Sequence, residues 1–154
     1  MSVLIAGSQL RTLLYGTKVD KATAALPAST TGSLFTVTGG RVLVTSIVGR
    51  VTTSIQAQAN AIKLVATPSG SGAVNDLSGT VESNGLAAGG LLSITGLAGD
   101  AMVKSTGGGV STLRNPVIVA AGAIGLNTAA TNTGSVEWSL TYVPLDDGAT
   151  VTAA

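Results

Sequence analysis

The chain has 154 residues, eight basic and seven acidic side chains for a net charge of +1, and neither histidine nor cysteine. No Ser-His-Asp or Cys-His nucleophile can be assembled from it, zinc loses its two preferred ligand types, and there is no disulfide to form. Charged residues make up 10% against roughly 25% in a typical soluble domain, and the mean hydropathy is +0.51. A lone copy with so few charges would present a weakly solvated surface, and large exposed apolar patches mark interfaces. The expectation is a shape-forming protein whose surface is covered in part by copies of itself or by a partner.

In chain order, Met1 to Gly7 has no basic leader and too short an apolar stretch for a signal peptide. Gln9 to Tyr15 holds enough apolar residues for a turn or two of helix but reads as strand or loop. Ser33 to Thr38 and the run from Arg41 to Gln56 are rich in Val, Ile, Leu and Thr, the composition of strands. The doublet Gly39-Gly40 between them reads as a tight hairpin turn, because both central positions of that turn want positive φ. The long run carries two apolar sets: Leu43, Ile47, Val51 and Ile55 on one alternation, Val42, Val44 and Val48 on the other, before Arg50 and Thr52. This predicts a strand with one face on the core and part of the other on a neighbouring subunit. Gly49 in its middle predicts a bend, a bulge or a close approach.

Ile55 to Leu64 contains good helix formers but reads as strand or loop, with a strand from Ala61 to Ala66. Pro68 to Gly72 is a polar turn. Short strands are expected at Leu91–Thr95, Val117–Val119, Ile124–Leu126 and Ala149–Thr152, with a Thr/Asn/Ala loop from Asn127 to Gly134. Val117 to Leu126 is the best apolar run, about half of what a membrane-spanning helix needs. Ser135 to Val143 alternates cleanly, with Val136, Trp138, Leu140 and Tyr142 on one face and Ser135, Glu137, Ser139 and Thr141 on the other. Trp138 reads as a core anchor, with an interface position as the second reading. Pro144 closes this strand and Asp146-Asp147-Gly148 turns the chain. Nine or ten strands at this spacing predict an all-β fold: a single-domain β-sandwich or jelly-roll-like barrel of short antiparallel strands with Gly-rich turns, over residues 1–154. Residues 1–10 and 148–154, small and apolar at their ends, read as extended arms. Phe35, Val44, Ile47, Arg50, Trp138 and Tyr142 are the candidate core or interface residues.

The chemistry-bearing groups are few. Gly107-Gly108-Gly109 follows Lys104-Ser105-Thr106 in the wrong order for a phosphate loop and reads as a turn. Asp146-Asp147 reads as a solvated turn, with loose calcium binding as the weaker alternative. Asp76, Glu82, Asp100 and Glu137 are isolated in sequence, so a glycosidase-type carboxylate pair stays open. Phe35, Trp138, Tyr15 and Tyr142 are the whole aromatic complement, poor material for a sugar platform or for stacking bases. With no Lys/Arg cluster either, nucleic acid is not an expected partner; neither are a membrane, a metal or a cofactor. Arg41, Arg50 and Arg114 lie in or beside strand patterns, where an ion pair across an interface and snorkelling at a sheet edge are equal readings.

The stretches Pro27 to Val42, PASTTGSLFTVTGGRV, and Trp138 to Ala149, WSLTYVPLDDGA, together with the Ala/Gly/Thr-rich middle, resemble small β-rich structural proteins of tailed bacteriophage virions. The resemblance implies a non-enzymatic capsid decoration (cement) protein, synthesised in the host cytoplasm and carried on the virion surface. It implies a homotrimer whose partner is the major capsid protein. It supplies no catalytic signature, so no functional residue is carried over. A tail, head-fibre or baseplate component and a soluble receptor- or glycan-binding module are the competing readings; an enzyme comes last. Cement adhesion needs no special chemistry: apolar burial at about 25 cal/mol/Å² over a standard-size interface suffices.

Overall fold

The computed structural model describes residues 4–111 and 113–154. Among them are one helix, α1 (Gly7–Tyr15), and twelve strands: β1 (Thr17–Ala25), β2 (Thr31–Thr38), β3 (Val42–Thr53), β4 (Ala61–Pro68), β5 (Asn75–Asp76), β6 (Val81–Glu82), β7 (Leu91–Ser93), β8 (Val103–Ser105), β9 (Val117–Val119), β10 (Gly122–Thr128), β11 (Ser135–Pro144) and β12 (Thr150–Ala153). They form two antiparallel sheets. Sheet A runs β1-β11-β3-β7-β8, with β9 also on β3; sheet B runs β12-β2-β10-β4-β5, with β6 also on β4. The fold is an all-β sandwich of two open sheets, not a closed barrel.

The core lies between the sheets. Sheet A contributes Val44, Ile47, Val51, Trp138, Leu140 and Tyr142, and sheet B contributes Phe35, Val37, Ile62, Leu64, Ile124 and Leu126. In β11 the alternation read from sequence holds, with Val136, Trp138, Leu140 and Tyr142 all buried. Phe35, Val44 and Ile47 are buried as well, so five of the six candidate residues are core. Arg50 is exposed.

The Gly39-Gly40 doublet is a turn, with φ of 75° and 143°, but it does not make a hairpin. β2 lies in sheet B and β3 in sheet A, so the turn arches from one sheet to the other. The Asp146-Asp147-Gly148 turn makes the return crossing, from β11 to β12, alongside it. A Cβ on Gly39 would lie 2.3 Å from the Gly148 carbonyl oxygen, so the two arches touch backbone to backbone. Arg41 clamps them together. Its Nε and Nη2 donate to Asp146 Oδ2 and Oδ1 at 2.9 and 2.7 Å, and its backbone N–H donates to Oδ2 at 2.7 Å. Local glycine chemistry predicts a turn; only the packing of the second arch decides that the strands on either side part company.

The same clamp holds the Asp146 carboxyl well below the usual carboxylate range, chiefly through the guanidinium hydrogen bonds. A depressed carboxyl adds stability above its unfolded value, about 3.9, and that share is lost as pH falls toward the lowered one. Asp146→Asn is therefore expected to be less stable than the parent at pH 7 and to lose less stability between pH 4 and pH 2. Denaturant titrations at several pH values check this; parallel curves would remove the clamp from the account.

The two apolar sets of β3 have a different cause from the expected two-sided burial. Thr141 pairs with Ser46 but Tyr142 pairs with Val44, leaving Thr45 extra. This bulge switches the buried parity from Val42 and Val44 to Ile47, Gly49 and Val51. One face stays on the core throughout. Gly49 answers to close approach instead: it sits opposite Trp138, and a Cβ there would lie 2.9–3.0 Å from three carbons of the indole ring.

Part of each expected arm has regular structure. Thr150–Ala153 is an edge strand paired with β2 from Thr150↔Thr38 to Ala153↔Phe35, with Val151 buried in the core. At the other end Gly7 to Tyr15 is helical, which replaces the strand-or-loop reading of Gln9 to Tyr15 and takes residues 7–10 out of the expected arm, while Leu4 to Ala6 are exposed and without regular structure. The Gln9 side chain accepts the Ala6 backbone N–H at 2.9 Å and so closes the first turn. The first three residues of the arm lie outside the described residues.

Candidate interaction surface

Helix α1 buries none of its side chains. Leu10, Leu13 and Leu14 share one face by their i, i+3, i+4 spacing, and Leu13 is 74% exposed. Leu4 and Ile5 line a hollow beside Leu13 and extend the exposed apolar group, Leu4 at 94%, while Tyr15 lies on the sheet side of the helix. A nine-residue helix is marginal in water on its own, so this one depends on what it packs against.

It is tied to sheet A at its C-terminal end. Gly16 N–H donates to the Thr12 carbonyl at 2.9 Å and ends the helix. The Thr45 hydroxyl, offered by the β3 bulge, donates to the Tyr15 carbonyl and accepts from Thr141 Oγ1 at 2.7 Å. Beside this tie a row of apolar residues crosses the outer face of sheet A, since Ile118 pairs with Leu43 and Leu43 pairs with Val143. Ile118 and Val143 are exposed, and a Cβ on Gly16 would sit 3.0 Å from Val143 Cγ2. Helix and row are therefore neighbours at Gly16. Between helix and sheet runs a cleft of about 550 Å³, lined by hydroxyls of Thr45, Ser46 and Thr141 and flanked by Arg11 and Lys18.

Of the charged residues singled out from sequence, Arg41, Arg50, Asp76, Glu82, Asp100, Glu137 and Asp146 are engaged elsewhere. Arg50 Nε donates to Glu137 Oε1 at 2.6 Å across β3 and β11, on the outer face of sheet A. Asp76 pairs with Lys63 at 2.8 Å, Glu82 accepts the Asn60 backbone N–H at 2.9 Å, and Asp100 accepts the Thr95 hydroxyl at 2.8 Å. The four carboxylates thus answer to four different partners. Both oxygens of Asp146 are taken by Arg41. Among the described residues no group of three or more acidic side chains is placed to hold a metal ion, and no helix is long and apolar enough to cross a membrane.

The apolar helix is the surface that sequence reading missed. Its signal was present in the Leu10, Leu13, Leu14 spacing and in Gln9, but fewer than three turns give periodicity little to repeat. The chain matches no family model, no curated protein and no solved structure.

Proposed function

We propose that this chain is a structural protein of a tailed-phage virion, a capsid decoration protein that binds and stabilises the head shell. One observation carries the reading: α1 stands on the sandwich with its whole apolar face exposed. The rest of the chain's large apolar residues are for the most part packed into a single core. A surface so built adheres by apolar burial, which suits a lattice that presents the same site many times. Arg11 is the sole charge on the helix, so attachment here should depend little on salt. The likeness of Pro27 to Val42 and Trp138 to Ala149 to virion proteins points the same way.

Sedimentation of the native source lysate on a density gradient tests the reading. The chain should travel with DNA-filled particles at a copy number near that of the major shell protein. A few copies per particle would move it to the tail, a head fibre or the baseplate, and a chain found only in light fractions would end the virion reading. Leu13→Asp with Leu14→Asp should weaken particle binding by at least about tenfold while leaving the melting temperature within a degree or two, since neither side chain is buried. Unchanged binding by the double variant would remove α1 from the attachment surface.

A further inference from the structure

Strand β1 closes one side of sheet A, and among the described residues no strand is hydrogen-bonded to its other edge, although the end of β12 lies near, where Lys21 Nζ donates to the Ala154 carbonyl. The remaining strands at sheet margins, β5, β6, β8, β9 and β12, have four residues or fewer, whereas β1 has nine. A long free edge offers a row of backbone donors and acceptors to another strand, and proteins usually blunt such edges with a bulge, a proline or charge. The second half of β1 is blunted in this way: the register against β11 slips between Lys21 and Ala24. The first half, Thr17 to Lys21, is free of bulges and contains no proline.

Its charges do not repel a second copy; they fit one. Lys18 and Asp20 stand two residues apart, hence on the same face, and pair with each other at 2.8 Å. An antiparallel copy centred on Val19 places Lys18 of each chain opposite Asp20 of the other, and Thr17 opposite Lys21. Two lysines alone would set like charges face to face. Val19, on the opposite face, is half-buried and packs against the core, so at the axis it would meet its own copy and extend the apolar layer. Opposite charges directly across a strand pair favour pairing, and like charges disfavour it.

We propose that two copies of this chain join through Thr17–Lys21 of β1, antiparallel about Val19, into one continuous sheet with two-fold symmetry. The interface is isologous, each side supplying the same lysine and the same aspartate, a two-fold assembly in place of the trimer that the resemblance to decoration proteins implies. The α1 helices leave at opposite ends of the paired strands, so both apolar faces remain available. A dimer of this form would hold a lattice at two points, which raises its avidity without new contacts. The pairing itself does not depend on the virion reading.

Sedimentation equilibrium of the purified full chain tests it. The parent should weigh twice its 15.0 kDa chain mass. Lys18→Asp and Asp20→Lys, each alone, should raise the dissociation constant about tenfold or more, because each sets like charges across the axis twice. The double variant Lys18→Asp/Asp20→Lys restores opposite charges at both positions and should return the constant to near the parent value. Lys18 and Asp20 are both more than 60% exposed, so all four proteins should melt together at concentrations below the parent's dissociation constant, where association adds no stability, and a melting curve on each there separates lost pairing from lost folding. A monomeric or trimeric parent, single variants that stay dimeric, or a double variant that stays apart would each overturn the proposal. The readout uses no virions, so failure of the decoration reading leaves it untouched.

Discussion

Trp138→Ala is expected to lower the unfolding free energy by about 3–5 kcal/mol, the range for emptying a large aromatic site in a packed core. The indole lies over Gly49 of the adjacent strand, and with so few aromatics in the chain no neighbour is large enough to refill the space. Gly49→Ala should cost about 1–3 kcal/mol in the parent, since a Cβ in contact with the ring at 2.9 Å forces the indole off its position. In the Trp138→Ala background the same substitution should be nearly neutral or stabilising: the ring is gone, the Gly49 φ is not positive, and alanine suits a strand better than glycine. Denaturant unfolding of the four proteins, followed by circular dichroism because the tryptophan is lost, gives the coupling directly. Costs that simply add to within about 0.5 kcal/mol would mean that ring and glycine do not meet.

Asn60→Ala is expected to cost about 1–3 kcal/mol. Asn60 is 1% exposed, and its Oδ1 accepts the backbone N–H groups of both Ala129 and Ala130 at 3.0 Å. Its Nδ2 donates to the Ala130 carbonyl at 3.1 Å. One side chain thus contacts three backbone groups of the loop after β10; the Ala129 N–H also donates to the Ala61 carbonyl at 3.0 Å, so removing the amide strands the Ala130 N–H, at about 1–3 kcal/mol before the loop relaxes. Asn132 offers the contrast. Its Nδ2 bridges the carbonyls of Gln56 and Gln58 at 3.2 and 2.9 Å, but both of those residues are exposed and water can replace the amide. Asn132→Ala should therefore cost less than Asn60→Ala under the same conditions, and the reverse order would contradict this account of the loop.

Strand positions with a clear inner and outer side were legible from the sequence. In β11 one alternation holds from Val136 to Tyr142, and the burial follows it residue by residue. Short apolar runs at Leu91, Val117 and Ile124 were found for the same reason. β1 was not, because Thr17 to Ala25 lies at an edge with nearly every side chain exposed, and an edge imposes no alternation. The surface proposed here for self-pairing therefore comes from a segment that hydrophobic pattern cannot mark. α1 escaped for a different reason: its nine residues give the Leu10, Leu13, Leu14 spacing little to repeat.

The amino-acid sequence by itself determined the class of the protein. Lacking histidine and cysteine, poor in charge and built of β-branched runs broken by glycine, it specifies an all-β body whose strand faces follow local alternation. Tertiary structure decided which strands are neighbours. The Gly39-Gly40 turn could have closed a hairpin, and it instead carries the chain between sheets because β2 pairs with β10 and β12 while β3 pairs with β11, with Arg41 and the distant Asp146 clasping the arch. Likewise the two apolar sets of β3 become one buried face only through the bulge at Thr45 against β11. Alternation and turn chemistry act over a few residues and are written locally. Register and sheet partner arise from contacts between distant segments, and no local window contains both sides of them.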